Sequence, residues 1–149
     1  MDTYISILYE QHDDFTHFLS EKIRGFNNEH SPYHRESRQK GAIRPLNLIV
    51  TDQQQQWIGG ITAEVYWGWV EIHKFWFHEE HRGKGLGSKL LAQAEMAAKE
   101  MGAKKALLTT YAFQARTFYE ARGYQVVGEI KDYPPGSSYY TMVKTLVFE

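Results

Sequence analysis

One stretch of the chain, residues 70–101, constrains the fold more than any other, because it runs from a strand pattern through a glycine-rich turn into a helix pattern. Residues 70–77 are rich in β-branched and aromatic side chains, which favour extended backbone and predict a strand. In residues 86–101 apolar side chains recur at steps of three and four, which predicts a helix over 89–101. The turn between them carries glycines at alternate positions, Gly83, Gly85 and Gly87.

The turn itself predicts a binding site for phosphate. Glycine lacks a Cβ, so a ligand can lie directly on the backbone there. The free N–H groups of the helix's first turn, together with the helix dipole, favour an anion, and Arg82, Lys84 and Lys89 add positive charge. Two common glycine motifs do not fit. The last glycine is followed by Ser and then Lys, the reverse of a P-loop, and it comes too early for a dinucleotide fingerprint.

What does fit is Arg82-x-x-Gly85-x-Gly87, which resembles the acetyl-coenzyme A loop of the GNAT superfamily of N-acetyltransferases. A second segment, residues 113–124, contains Phe118-Tyr119 followed after three residues by a Gly-Tyr pair, and it resembles a later motif of the same superfamily. The tail and closing strand after residue 132 also resemble small bacterial members. The resemblance covers roughly residues 45–149.

This resemblance implies an α/β fold of the acyl-CoA N-acyltransferase type, with a central mixed sheet of about six or seven strands and about four helices. Alternation and apolar periodicity give the individual elements. Strands are predicted at residues 4–9, 46–51, 57–66, 70–77, 106–111, 125–130 and 139–148, and helices from Asp13 or Asp14 to about Gly25, over 89–101 and over 113–124. Residues 27–41 are either a long connection or a short second helix. The whole chain, 1–149, is predicted to be one N-acetyltransferase domain.

The resemblance implies transfer of an acetyl group from acetyl-CoA, without a metal, to a primary amine of a small molecule or peptide in a ternary complex. The pantetheine arm would lie between two splayed strands and the pyrophosphate on the glycine turn. By motif position the cofactor contacts are Phe75, Trp76, Phe77, Arg82, Gly83, Lys84, Gly85, Leu86, Gly87, Ser88, Gln114 and Ala115. Many members carry Asn where this chain has Ala112, and Gln114 is the candidate replacement.

Three residues are candidates for catalysis. The resemblance makes Tyr119 the general acid, because it puts this hydroxyl near the coenzyme sulfur. A phenol with a pKa of about 10 can protonate a thiolate and is itself neutral at physiological pH. Glu71 and His73 alternate on one face of the predicted strand and are the candidate bases. Histidine has the better intrinsic pKa for this role, whereas a glutamate would need burial, so both alternatives stay open.

The acceptor pocket is predicted from segments that converge on the substrate side in the superfamily. Its aromatic lining would be Tyr33, Trp69, Tyr133 and Tyr139, beside the carboxylate of Glu71. Aromatic faces and a carboxylate together favour a cationic amine. The alternative is a pocket for acidic acceptors, formed by Arg35, Arg38 and Lys40.

Composition excludes several other classes of protein. A net charge of −1 argues against a dedicated nucleic-acid binder, and the absence of cysteine excludes disulfides and thiolate nucleophiles. The N-terminus lacks a signal-peptide pattern and no apolar run has the length of a membrane span, so a cytoplasmic protein without a membrane partner is predicted. The histidine pairs, His12 with His17 and His78 with His81, lack a third ligand at motif spacing, so no metal is expected. A homodimer is compatible with the sequence.

Two rival functions remain at this point. A coenzyme A-binding sensor without turnover would keep residues 82–88 but would need no aligned acid and base. An interaction protein would instead use an aromatic surface, formed by Trp67, Trp69, Tyr133, Tyr139 and Tyr140.

Overall fold

The computed structural model describes residues 2–146, and the chain divides into two compact units, Met1–Lys40 and Gly41–Glu149. The first unit contains helices α1 (Asp13–His30) and α2 (Pro32–Ser37). The second unit contains a six-stranded sheet and two further helices. That residues 1–149 act as one domain stays a prediction. Within residues 2–146, no helix combines the length and the apolar character needed to cross a membrane.

The strand predicted at residues 4–9 is wrong, because these residues form no strand in the structure. Their apolar side chains alternate only loosely, and several of them are adjacent in the sequence. A strand is stabilised by hydrogen bonds and side-chain pairs with a neighbouring strand, so a local pattern of this kind does not fix extended structure by itself.

Helix α1 begins at a different cap from the one predicted. Its N-cap is His12 rather than Asp13 or Asp14, and the imidazole Nδ1 accepts a hydrogen bond from the N–H of Phe15 at 3.1 Å. The two aspartates instead occupy the first turn, where their negative charge favours the N-terminal end of the helix dipole.

Helix α1 also ends later than predicted. It continues through Gly25, because a single glycine costs only about 1 kcal/mol in a helix interior. The helix ends at His30, and its C-cap residue Ser31 has an extended backbone, as expected for a residue that precedes proline. Ser31 then caps α2 through its side chain, and Pro32 occupies the first turn of that helix. Residues 27–41 therefore contain the short second helix.

The sheet confirms the mixed α/β class that the sequence predicted. Its strands are β1 (Arg44–Thr51), β2 (Trp57–Tyr66), β3 (Trp69–Phe77), β4 (Lys105–Tyr111), β5 (Gln125–Lys131) and β6 (Ser138–Thr145). Their order is β1-β2-β3-β4-β6-β5, and only β3 and β4 are parallel neighbours. The helices of this unit are α3 (Leu86–Glu100) and α4 (Arg116–Glu120). The closing strand was predicted to reach residue 148; β6 ends at Thr145, and residues 147–149 lie outside the described part of the chain.

Helix α3 packs its apolar stripe against the central strands, as its periodicity predicted. Its buried side chains belong to one cluster with those of β2, β3, β4 and β6: Leu90, Leu91, Ala94, Ala98, Ile61, Ala63, Val65, Val70, Ile72, Ala106, Leu108 and Met142. The buried carboxylate of Glu95 ties this helix to the far end of the sheet, since it accepts hydrogen bonds from Tyr124 and Lys144, each at 2.8 Å. The core therefore fixes the first turn of α3 relative to the end of β3.

Helix α4 is shorter than the predicted 113–124 because a turn occupies its first residues. The side-chain Oε1 of Gln114 accepts a hydrogen bond from the N–H of Tyr111 at 2.9 Å, which holds residues 111–114 in that turn. At the other end Gly123 adopts a positive φ of 94°, as expected for a glycine that stops a helix.

Strands β3 and β4 separate soon after they start. They pair only at Trp69, Val70 and Glu71 of β3, and no pairing follows among the later described residues of the two strands. The register between β2 and β3 shifts nearby, where Thr62 lies opposite Lys74 and Ala63 opposite Ile72. His73 is therefore the extra residue of a β-bulge, and a bulge bends its strand. The result is a gap between β3 and β4 at the centre of the sheet.

Candidate active site

The glycine turn leads directly into the N-terminus of α3. Gly83 and Gly85 have φ values of 76° and 78°, in the left-handed region that glycine adopts without strain. Gly85 is the N-cap residue and supplies no side-chain hydrogen bond to the helix. The first N–H groups of α3 therefore lack an intrahelical acceptor and are suited to an anion.

A cavity of about 730 Å³ lies along this turn, the end of β3 and helix α4. It is lined by Phe75, Trp76, Phe77, His81, Arg82, Gly83, Gly85, Gly87, Ser88, Phe113, Gln114, Ala115, Phe118, Tyr119 and Arg122. All but two of the predicted cofactor residues are among them; Lys84 and Leu86 are not part of the lining. Four residues of the lining were not predicted as cofactor or catalytic residues, although three of them lie in the motif segment 113–124: His81, Phe113, Phe118 and Arg122.

A second cavity, of about 320 Å³, occupies the gap between β3 and β4. It is lined by Ile72, His73, Lys74, Phe75, Trp76, Leu108, Thr109, Thr110, Gln114, Ala115 and Tyr119. The two cavities share Phe75, Trp76, Gln114, Ala115 and Tyr119. An elongated ligand can therefore extend from the glycine turn into the gap in the sheet.

Tyr119 lies where the two cavities meet. Its side chain is only 8% exposed and is surrounded by the rings of Phe75, Phe118 and Tyr124. Burial raises the pKa of Tyr119 above its usual value, because the phenolate would lose its hydration. The hydroxyl makes no hydrogen bond to another group within residues 2–146. It is therefore a protonated donor that is free to meet a ligand.

Gln114 lines both cavities, as expected for a cofactor residue, but its carbonyl oxygen is already engaged. Oε1 accepts hydrogen bonds from the N–H of Tyr111 at 2.9 Å and the hydroxyl of Thr110 at 3.4 Å. The N–H of Ala112 donates to the carbonyl oxygen of Ser138 at 2.8 Å. These contacts leave the amide NH₂ of Gln114 as the part that can meet a ligand.

A polar cluster, formed by Glu64, Tyr66, Glu71 and His73, lies on the face of β2 and β3 opposite the buried stripe. The Nε2 of His73 lies 2.8 Å from an Oε1 of Glu64, and its Nδ1 lies 3.5 Å from Oε1 of Glu71. The hydroxyl of Tyr66 donates to the other oxygen of Glu71 at 3.1 Å. Burial raises the pKa of Tyr66, and the hydrogen bond to Glu71 and the nearby carboxylates raise it further.

Glu71 and His73 thus share one face, as the alternation predicted, despite the bulge at His73. Glu64 and Tyr66 were missed. The signal available for them was the hairpin pairing of the two predicted strands, which puts Glu64 directly opposite Glu71. That register depends on the length of the turn between β2 and β3 and cannot be read from β3 alone.

The residues predicted for the acceptor pocket do not all come together. Tyr139 packs against Tyr133 and Tyr111, with ring centres 5.6 and 4.7 Å away. Trp69 lies at the start of β3, beside Lys105. Lys105 and Tyr111 are at opposite ends of β4, about 20 Å apart at the usual rise of a strand. Tyr33 lies in α2, in the N-terminal unit.

The aromatic surface required by an interaction protein is not continuous, because its tryptophans and its tyrosines lie at opposite ends of the sheet. Tyr140 is buried at 6% exposure, with the guanidinium of Arg116 over its ring. Trp67 and Trp69 lie at the turn between β2 and β3, far from Tyr133. Among residues 2–146 there is no group of three or more His, Asp or Glu side chains suited to hold a metal ion.

A mixed sheet opened between two parallel strands, with a glycine turn at the end of the first strand, defines the class of acyl-CoA N-acyltransferase folds. Residues 7–124 match the family model described as "Acetyltransferase (GNAT) family". The chain belongs to this family and is an acetyltransferase.

Individual relatives agree with this assignment. Blasticidin-S acetyltransferase of Streptomyces morookaense is 35% identical over 131 residues, which cover 84% of this chain and 96% of that protein. The crystal structure of an acetyltransferase from Bacillus cereus ATCC 14579 superimposes with a TM-score of 0.79 at 26% identity, covering 97% of this chain and all of that one. An aminoglycoside 6′-N-acetyltransferase complexed with coenzyme A shares the fold, with a TM-score of 0.62 at 16% identity over 89% of this chain and 93% of that one.

Proposed function

We propose that this acetyltransferase transfers the acetyl group of acetyl-CoA to a primary amine of a small cationic molecule, directly and within a ternary complex. The observation that carries the proposal is Tyr119, a buried phenol without a protein hydrogen-bond partner in residues 2–146, at the junction of the two cavities. The larger cavity has room and N–H donors for the pyrophosphate, and the gap between β3 and β4 has room for the pantetheine arm. The thioester would then lie beside Tyr119.

In this mechanism the amine attacks the thioester carbonyl, the C–N bond forms and the C–S bond breaks. Tyr119 donates its proton to the departing coenzyme A thiolate, and bulk water restores that proton. The raised pKa of Tyr119 keeps the hydroxyl protonated through neutral and mildly alkaline pH, as a general acid requires.

The base that accepts the proton of the amine is proposed to be His73, since it lines the gap while Glu71 does not. A neutral imidazole that donates Nε2–H to Glu64 carries its lone pair on Nδ1. Once Nδ1 is protonated, the carboxylate of Glu71 at 3.5 Å stabilises the imidazolium. Glu64 is then a positioning residue that selects the tautomer of His73.

His73→Gln is expected to lower turnover about 10²-fold, the lower end of the range for loss of a general base. Glu64→Gln should lower turnover by less than His73→Gln, because an amide can still hold the imidazole in place through Nε2. The measurement is kcat by thiol release for both variants. Glu100→Gln, an exposed carboxylate at the end of α3, is the matched control. Unchanged turnover in Glu64→Gln would contradict a positioning role of Glu64.

The acceptor is proposed to be cationic because His73, which lines the gap, is in contact with two carboxylates, Glu64 and Glu71. The rings of Tyr133 and Tyr139 would line the acceptor on the β4–β6 side. Trp69 is a weaker candidate, since it lies at the distant end of β3. Blasticidin S is the first antibiotic to test, because it appears in the name of a relative.

A panel of cationic, neutral and acidic amines, read by thiol release from acetyl-CoA, tests the proposed function. Cationic amines are expected to have the highest kcat/KM, and Glu71→Gln is expected to narrow their advantage, because it removes the charge that attracts them. If acidic amino acids proved the best acceptors, the pocket would be that of Arg35, Arg38 and Lys40. Binding of acetyl-CoA without thiol release for any amine would favour the coenzyme A sensor.

A further inference from the structure

Arg122 is a charged residue in the wall of the larger cavity that the mechanism above does not use. Its Nη1 donates a hydrogen bond to the carbonyl oxygen of Phe118 at 2.8 Å. Its guanidinium carbon lies 3.9 Å from the centre of the Phe118 ring. Its Nε is buried and has no hydrogen-bond partner among residues 2–146. A buried donor without a partner is unusual, and the Nη2 group of the same guanidinium stays available to an anionic ligand in the cavity.

The ring of Phe118 also contacts the glycine turn. A Cβ added at Gly87 would lie 3.5 Å from Cζ of Phe118, so the ring meets the turn at its edge and Arg122 at its face. Arg122 is therefore next to the proposed pyrophosphate site but separated from it by one aromatic ring. This separation suits a second, distinct phosphate.

The other arginine of the cavity wall, Arg82, is held at the opposite side of the cavity, at the end of β3. The Nε of Arg82 donates to the carbonyl oxygen of Phe77 at 2.8 Å, and its guanidinium lies 6.0 Å from the ring of Trp76. Arg82 thus holds the turn against the end of β3. Arg122 lies on the α4 side of the wall, and the N–H groups that it does not donate to Phe118 can be directed at a ligand there.

We propose that Arg122 binds the 3′-phosphate of coenzyme A and makes the enzyme prefer acetyl-CoA to 3′-dephospho-acetyl-CoA. The inference rests on the proposed use of acetyl-CoA. Coenzyme A carries a pyrophosphate, which the glycine turn accommodates, and a separate phosphate monoester on its ribose. A phosphate monoester carries about −1.5 to −2 charges at neutral pH. A planar guanidinium, held in place by stacking on Phe118, matches its oxygens in charge and geometry.

The test compares the two cofactors by Kd and by kcat/KM at fixed amine. The wild-type protein should prefer acetyl-CoA by about tenfold or more, the scale of a hydrogen bond to a charged group. Arg122→Gln should bring this ratio close to one, and Arg122→Lys should give an intermediate ratio, because a lysine keeps the charge without the fork of donors. Arg116→Gln is the matched control: Arg116 begins the same short helix but does not line the cavity, so the ratio should stay at the wild-type value.

Equal affinity of the wild-type protein for both cofactors would overturn the inference. So would an equal loss for both cofactors in Arg122→Gln, since Arg122 would then act on the pyrophosphate or on the fold. The wild-type ratio and the Arg122→Lys ratio decide the question even if Arg122→Gln fails to fold. If neither cofactor bound at millimolar concentration, the proposed function would fail and this inference with it, whereas equal binding defeats this inference alone.

Discussion

Replacing Tyr119 by Phe is expected to lower turnover about 10²–10⁴-fold, the usual contribution of one general acid. The change removes the proton and keeps the ring that packs between Phe75 and Tyr124. Acetyl-CoA affinity and the melting temperature should therefore change little, since no protein hydrogen bond within residues 2–146 is lost. The measurements are steady-state kcat by thiol release, Kd for acetyl-CoA and a melting curve.

Tyr124→Phe is the control for Tyr119→Phe, because it should lower the stability of the fold and leave turnover unchanged. Its hydroxyl donates to the buried carboxylate of Glu95 at 2.8 Å, and burial together with that carboxylate raises the pKa of Tyr124. Loss of this hydrogen bond should destabilise the fold by about 1–3 kcal/mol while turnover of the folded protein stays close to wild type. If Tyr119→Phe instead kept full turnover, its hydroxyl would be a structural group and the proposed acid would be wrong.

Replacing Gly85 by Val is expected to abolish the stabilisation of the fold by acetyl-CoA. A ligand at about a hundred times its Kd stabilises the native state by about 2.7 kcal/mol, which raises the Tm of a domain of this size by several degrees. In Gly85→Val the side chain would occupy the space above the turn, where a Cβ meets no protein atom within 4 Å and the pyrophosphate is proposed to lie. The measurement is Tm with and without millimolar acetyl-CoA.

Gly68→Val is the control that separates the loss of acetyl-CoA binding in Gly85→Val from the effect of backbone strain. Gly68 has a φ of 77° against 78° for Gly85, and a Cβ there also meets no protein atom within 4 Å. A non-glycine residue in this conformation costs about 1–3 kcal/mol at either position. Both variants should therefore melt earlier, but only Gly68→Val should keep the shift caused by acetyl-CoA. If millimolar acetyl-CoA does not raise the Tm of the wild-type protein, the proposed cofactor is wrong.

The cofactor half of the candidate site could be read from the sequence because its determinants are local. Gly83 and Gly85 are needed where the backbone has a positive φ, and the apolar steps of α3 follow from the period of a helix. The resemblance of two motifs to the GNAT superfamily predicted the family and the fold class, and both are confirmed. Two predictions that depended on weak local patterns were wrong: the strand at residues 4–9 and the aspartate cap of α1.

The acceptor half required the tertiary structure because it is assembled from strands that are paired across the sheet. The contact between Glu64 and His73 depends on the register of β2 and β3 and on a bulge, and neither is encoded in the alternation of one strand. The position of Trp69 also required the tertiary structure. Trp69 was predicted to share a pocket with Tyr133 and Tyr139, but it lies about 20 Å along the sheet from Tyr139.

The sequence by itself therefore determined the strand–turn–helix unit, its glycine turn and the motif tyrosine, since each depends on the conformation of a few consecutive residues. Only the tertiary structure decided where β3 leaves β4, which carboxylates contact His73 and which arginine of the cavity wall has an unpaired donor. Those features depend on how separate strands and helices pair and pack together, which the pattern of a single segment does not fix.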